Sequence, residues 1–214
     1  MTLVREEFHD RESWLEGRQR IGIGASEAAA VCAISPWMSP VELWKIKTGQ
    51  KKPKDLSGNP ETERGHRLEQ AVREIFAAQH PELTVDYHEF DILHQEERPW
   101  LFATLDGELL KENRERGILE IKTSAPANAA KFAEWKNQIP PAYYCQVCHQ
   151  MAATGFSFVI LAAWLMLYSG DRLYREYEFR REDCEDDIAW LIGEEEKFMG
   201  YIGRKQMPPM TLRL

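Results

Sequence analysis

The sequence predicts an α/β fold, a central mixed β-sheet flanked by helices, in a single domain over residues 1–214. Apolar residues recur at helical spacing before residue 80, runs of strand character follow between 83 and 123, and helices and strands then alternate. A chain of 214 residues is long enough to bury one sizeable core. A composition 43% apolar and 29% charged is that of an ordinary folded soluble protein. Repeats, low-complexity tracts and an interdomain linker are absent from the sequence.

Each element has a local reason. Residues 11–20 read as a helix anchored by Trp14 and Leu15. In "IGIGASEAAAVC" (21–32) two glycines precede Ser26, the expected N-cap of an alanine-rich helix that "SPWMSP" (35–40) interrupts. Ser39 and Pro40 cap and start the next helix, which Gly49 stops, and residues 51–60 are loop-like. Residues 61–80 form a long helix with an apolar stripe of Leu68, Val72, Ile75 and Phe76. Three strand-like runs follow, at 83–93, 100–110 and 117–123. Helical spacing returns at 127–138, and two prolines and Gly155 punctuate a helix at 140–155. The apolar run at 158–168 reads as a buried strand, 173–182 alternates as another, and an acidic segment closes the chain as a helix.

Charge and cysteine usage exclude several functions. The N-terminal twenty residues have no apolar core and carry acids from the sixth residue, so a signal peptide is not expected; the run at 158–168 is too short to span a bilayer as a helix. A cytoplasmic protein without membrane association is the expectation. Cys145, Cys148 and His149 spell the C-x-x-C-H of c-type haem attachment, and Met151 would pass for an axial ligand. That chemistry belongs to exported proteins, and in a reducing compartment Cys32, Cys145, Cys148 and Cys184 are expected to be small core residues. Neither haem nor an iron–sulfur cluster is expected, since Cys184 stands alone and Cys32 lies in a predicted helix. The net charge of −8 equals that of residues 182–196, which hold eight acids and no base; the remainder is neutral overall. Within it, residues 45–54 carry five lysines and no acid, and "RGHR" (64–67) adds two arginines; such runs read first as a solvated surface, with a basic face opposed by an acidic helix as the alternative.

Chemistry concentrates in "ATLDGELLKENRERGILEIKT". Asp106 ends one run before a glycine turn; Glu120 and Lys122 follow on the third. Residues two apart on a strand share a face, so Glu120 and Lys122 project together while Ile121 points to the core. A hairpin between the two runs brings Asp106 to the same spot. Two carboxylates and an ammonium so placed are costly unless they hold something. Hard carboxylate oxygens suit Mg²⁺ or Mn²⁺, which bind substrate phosphate and acidify an attacking water. A solvated E-x-K pair on a surface hairpin is the competing reading.

Six motifs in order decide between these: "GASE" (24–27), "SPW" (35–37), "RGHRLE" (64–69), "PWLFATLDG" (99–107), "LEIKT" (119–123) and "YYCQ" (143–146). Together they resemble the phage-type recombination exonucleases of the PD-(D/E)xK superfamily, the lambda exonuclease or YqaJ-like viral recombinase family, over residues 14 to 200. The resemblance implies a restriction-endonuclease-like core. It implies Asp106, Glu120, the Ile121 carbonyl and Glu69 as metal ligands, Lys122 as the residue serving the nucleophilic water, and Gln146 as support from the neighbouring helix. Ser26 and either Arg18 or Arg20 would bind a terminal 5′-phosphate. Leu105 stands where the family has proline, and Glu27 where it has aspartate. His149 is expected near the site.

The implied activity is Mg²⁺-dependent 5′-to-3′ digestion of linear double-stranded DNA, leaving a 3′ overhang for a single-strand annealing protein, in a phage or prophage setting and with a homotrimer ring as the implied assembly. The alternatives are an endonuclease of the same fold and a non-catalytic DNA-binding assembly module; intact Asp106, Glu120 and Lys122 argue against the latter.

Overall fold

A computed structural model of the protein describes residues 2–20, 22–54, 58–167 and 169–210. Residues 55–57 of the expected loop and Tyr168 at the end of the apolar run lie outside the described residues. The chain opens with β1 (Leu3–Glu7), α1 (Arg11–Arg18), β2 (Ile23–Gly24), a 3-10 turn (Ala25–Glu27) and α2 (Ala28–Val31). It continues through α3 (Pro40–Lys47), α4 (Pro60–Gln79), β3 (Leu83–Asp86), β4 (Asp91–Gln95), β5 (Leu101–Ala103), β6 (Gly107–Lys111) and β7 (Arg116–Ser124). The last elements are α5 (Ala129–Ala133), α6 (Pro141–Thr154), β8 (Phe158–Met166), β9 (Arg172–Arg180) and, after a 3-10 turn, α7 (Glu185–Gly203).

The strands form two mixed sheets, ordered β1-β4-β5-β2 and β3-β6-β7-β8-β9, with β2–β5 and β7–β8 the parallel pairs. The runs expected as single strands at 83–93 and 100–110 each break in the middle. Each places one half in the first sheet and the other in the second. Neither break contains Gly or Pro, so nothing local marks it; the chain turns because the two sheets need connecting corners. β1 was not anticipated. The helix expected at 127–138 shortens to α5, capped by Asn128 accepting from Lys131 N at 2.9 Å.

The central strands β7 and β8 of the second sheet are buried on both faces. Ile118, Val159, Leu161 and Ala163 pack with α6 and α7, whereas Leu119, Ile121, Phe158, Ile160 and Ala162 meet Val72 and Phe76 of α4. Fully burying each large apolar side chain is worth about 1.5–3 kcal/mol. Gly65 permits the close approach of α4 to β7, because a Cβ there would stand 3.3 Å from Thr123 Oγ1. Helix α6 ends as expected at Gly155, whose φ of 74° is the left-handed cap that glycine adopts without penalty. Cys145, Cys148 and Cys184 are buried in this core and Cys32 is partly so; all four are free thiols. Burial pushes the Cys148 thiol up to about 12, which removes thiolate reactivity. Among the described residues no helix is long and apolar enough to cross a membrane.

Candidate active site

The site forms at the corner between the two sheets. Asp106 is the last residue of the β5–β6 corner, and the β6–β7 hairpin pairs Gly107 with Leu119, which sets Asp106 beside Glu120. Asp106 Oδ2 accepts from Ile121 N at 2.7 Å, and Arg73 Nε donates to its backbone carbonyl at 2.6 Å. Arg73 in turn lies over the Tyr87 ring, 3.6 Å from the centroid, so α4 and the turn after β3 fix the position of this aspartate. Burial and the charge of Glu120 hold the Asp106 carboxyl well above the usual carboxylate range, against the pull of Lys122.

Glu120 is 2% exposed, unusual for a carboxylate, and its partners explain how that is sustained. Its Oε1 takes Gln146 Nε2 at 2.7 Å and Lys122 Nζ at 2.6 Å; its Oε2 takes Gln150 Nε2. Gln146 and Gln150 are one helical turn apart on α6, the spacing that aims both at one target. Gln150 was not among the expected site residues, although its i, i+4 spacing from Gln146 puts both on one face of the helix. Its Oε1 is buried with no partner among the described residues.

Lys122 Nζ lies 4.9 Å from the Tyr143 ring centroid. Burial alone would lower its pKa, but Glu120 and Asp106 outweigh burial and hold it above the usual lysine value. Lys122 is therefore an ammonium, a donor and a positive charge, at any physiological pH.

His149 sits behind the cluster, fully buried. Its Nε2 donates to Phe102 O at 3.0 Å, and Nδ1 meets Glu195 Oε1 of α7 at 2.7 Å. One acid of the C-terminal acidic run is thus sealed in the core, where it ties α6 to α7.

Glu69 stands apart from Asp106 and Glu120. It projects from α4, on the opposite face of the sheet from α6, with His66 Nδ1 3.4 Å from its carboxylate. Its charge raises the pKa of Asp106 without a hydrogen bond between them. Ser26 occupies the 3-10 turn and is exposed; it does not cap the helix as expected, because Glu27 Oε2 accepts from Gly24 N at 2.9 Å and closes the turn. Lys47, whose side chain is 6% exposed, pairs with Glu27 at 2.7 Å.

The two arginines differ. Arg20 is committed to Glu6 through two bonds of 2.6 and 2.8 Å and to Gly17 O at 2.7 Å. Arg18 makes no ion pair among the described residues; its guanidinium lies 4.6 Å from the Trp14 ring centroid. Burial lowers its pKa from the ordinary arginine value, while the charges of Glu27 and Asp106 oppose the fall. Arg18 is thus in the field of both the N-terminal turn and the carboxylate cluster.

The donor set fits a hard divalent cation: two carboxylates, one raised by the other's charge, beside the Ile121 peptide. Among the described residues no three acidic, histidine or cysteine side chains group closely enough to hold a metal unaided. The pair would therefore share an ion with backbone, water and phosphate oxygens, as Mg²⁺ commonly does.

The family model for the YqaJ-like viral recombinase domain matches residues 13–157. The uncharacterized protein YqaJ of Bacillus subtilis (strain 168) is 29% identical over 183 residues, 85% of this chain and 54% of the relative, so the chain spans about half that protein's length. Among solved structures, the chain is similar to the alkaline exonuclease LHK-Exo from Laribacter hongkongensis, 20% identical over 91% of this chain and 97% of that one, with a TM-score of 0.59. The same exonuclease in complex with dAMP matches with 19% identity over the same shares and a TM-score of 0.61. A phage related exonuclease from Haemophilus somnus 129PT matches at 12% identity over 87% and 96%, with a TM-score of 0.56. These structural likenesses establish the fold, a restriction-endonuclease-like α/β core. The family match runs from the helix of Arg18 to just past the helix of Gln146 and Gln150, taking in every residue of the cluster, and the chain belongs to the YqaJ-like viral recombinase domain family.

Proposed function

We propose that the protein is a metal-dependent deoxyribonuclease that resects linear double-stranded DNA from a 5′ end, leaving a 3′ overhang for single-strand annealing in phage-type recombination. The observation that carries this reading is the Asp106–Glu120–Lys122 cluster: a nearly inaccessible carboxylate fixed by two glutamines, with a second carboxylate and an ammonium beside it. Family membership and the likeness to exonuclease folds support it. That LHK-Exo has been crystallised with dAMP suits a nucleotide at this site.

Asp106, Glu120 and the Ile121 carbonyl would hold the ion, Mg²⁺ or Mn²⁺, with Glu69 on α4 contributing to a second metal position outside that set. When bound, the ion supplies charge to the phosphodiester and acidifies a water. Lys122, held as an ammonium, donates to the attacking water or to a phosphoryl oxygen and offsets charge developing there. Gln146 and Gln150 keep Glu120 in one orientation. Arg18 and Ser26 would form the terminal phosphate pocket; the pairing of Arg20 with Glu6 favours Arg18 over Arg20 for that role. The reading includes one nuclease domain over 1–214, a homotrimer ring around DNA, an annealing protein as partner, and a cytoplasmic location.

Digestion of matched linear and covalently closed circular duplexes, with Mg²⁺ or EDTA, tests it. Mg²⁺-dependent loss of linear DNA alone, abolished by Lys122→Ala, is expected; a 5′-phosphate preference lost in Arg18→Ala would identify the pocket. Cutting of the circle would make the protein an endonuclease, and inactivity on both would make it a binding module.

A further inference from the structure

Beside the cluster lies an aromatic array that the catalytic assignments leave unused. Trp37, of the "SPW" stretch, is 67% exposed, a large apolar area to leave in water. It is not loosely held. Ser35, itself 3% exposed, accepts through Oγ from Trp37 N at 3.2 Å and Met38 N at 3.3 Å, which pins the turn that presents the indole. The indole packs against Tyr143 at 5.9 Å between centroids, with 36° between planes. Tyr143 is backed by Trp135 at 5.5 Å, and Trp135 is 2% exposed, its carbonyl accepting from Arg175 and from the Tyr177 hydroxyl. The array thus runs from a rigid buried base to an exposed tip. Its middle ring is the one that Lys122 Nζ faces at 4.9 Å.

We infer that Trp37 is a nucleobase-stacking residue, holding a base of the nucleotides next to the scissile phosphate. The inference rests on the nuclease reading for the identity of the ligand, but its geometry stands on these rings alone. A phosphodiester at Lys122 carries its bases one nucleotide spacing away, the range that a ring beyond Tyr143 covers. Stacking on an exposed indole is sequence-tolerant, since every base has a π-face, and so suits an enzyme that must accept any sequence. The net −8 of the chain makes such a contact more useful, because phosphate attraction alone is weaker on an acidic protein. Trp37 would bind substrate and position the strand; it does no chemistry.

The test uses 5′-phosphorylated linear duplexes with 2-aminopurine, or an abasic nucleotide, at each of the first three positions in turn. With unmodified duplex, Trp37→Ala should raise KM on the order of tenfold, the range for one stacked base, and leave kcat within about twofold. Trp37→Phe should retain most of the affinity. At one position the abasic duplex should make Trp37→Ala and the unsubstituted protein equal. In the non-cleaving Lys122→Ala background, 2-aminopurine at that position should be quenched on binding, and the quench should vanish when Trp37→Ala is added. Equal quenching with and without the indole, or an equal loss on intact and abasic duplex, would overturn the inference. So would a change of oligomeric state in Trp37→Ala by sedimentation, which would make Trp37 a contact between copies. If the unsubstituted protein fails to cleave any duplex, the nuclease reading falls, while the quenching still decides whether Trp37 meets a base.

Discussion

Replacing Glu195 tests whether the site is held from behind. His149 and Glu195 are both fully buried, joined at 2.7 Å, and the second ring nitrogen is committed to Phe102 O. Removing one member of such a pair leaves the other uncompensated and costs about 3–5 kcal/mol. In a protein of this size each kcal/mol moves Tm by about 2–4 °C, so Glu195→Ala should lower Tm by roughly 10 °C. Glu195→Gln keeps the shape. A neutral His149 with its proton on Nε2 still donates to Phe102 O and accepts the new amide at Nδ1, for a cost of about 1 kcal/mol. The pH dependence has a definite sign. Burial alone would depress the His149 pKa, but Glu195 overrides burial and raises it above the ordinary 6.5. The pair's contribution is therefore complete below pH 6.5 and is lost as pH rises through the folded-state value. Circular-dichroism melts between pH 5.5 and 9 should show that loss in the unsubstituted protein and a flatter profile in Glu195→Gln. A Tm for Glu195→Ala within about 2 °C of the unsubstituted value, or an unchanged pH slope in Glu195→Gln, would refute the reasoning.

Other expectations follow from the same geometry. Gln150→Ala strips a donor from a carboxylate 2% exposed, so Mg²⁺-dependent cleavage should fall about tenfold or more in kcat, with a smaller change in KM. Arg20→Ala breaks the two bonds to Glu6 and should cost about 1 kcal/mol in urea melts with the 5′-phosphate preference intact, whereas Arg18→Ala should lose the preference and keep its midpoint. Asp106 has a folded-state pKa raised by burial and Glu120, so without divalent cations it weakens the fold progressively as pH rises above the ordinary aspartate range. Asp106→Asn should accordingly raise Tm by about a few degrees at pH 8 in EDTA, and Mg²⁺ should stabilise the unsubstituted protein but not this variant, as scanning calorimetry would read.

Helices α3 and α6 were legible because their ends carry local chemistry, Ser39 accepting from Glu42 N at 3.2 Å, the prolines at their starts and Gly155 at the close of α6, and α4 was legible from its apolar stripe, although it begins at Pro60, in the expected loop. The pairing of Asp106 with Glu120 followed from strand periodicity and a hairpin, both short-range. What escaped the reading is non-local. The corners at 87–90 and 104–106 exist because two sheets must join, and no residue type announces them. Ser26 had the residue type of a cap but lost the role to Glu27, one position on. Glu195 looked like one acid among eight, and only the arrival of His149 from another helix makes it a core residue. The pairing of Arg20 with Glu6 needed the position of β1, a strand that the periodicity did not announce.

Of the residues proposed for chemistry, Asp106, Glu120, Lys122, Gln146 and Gln150 come from one uninterrupted stretch of chain, with Glu69 apart on α4, while Arg18, Ser26 and Trp37 come from another near the N-terminus. The two stretches meet only on folding. On the proposed roles, inheritance could act on them separately: substitutions among the first forty residues would alter which DNA ends are admitted and how firmly, while leaving the hydrolytic residues unchanged. On the same roles, recombination between related genes would exchange end preference as a cassette, with the hydrolytic half carried over intact.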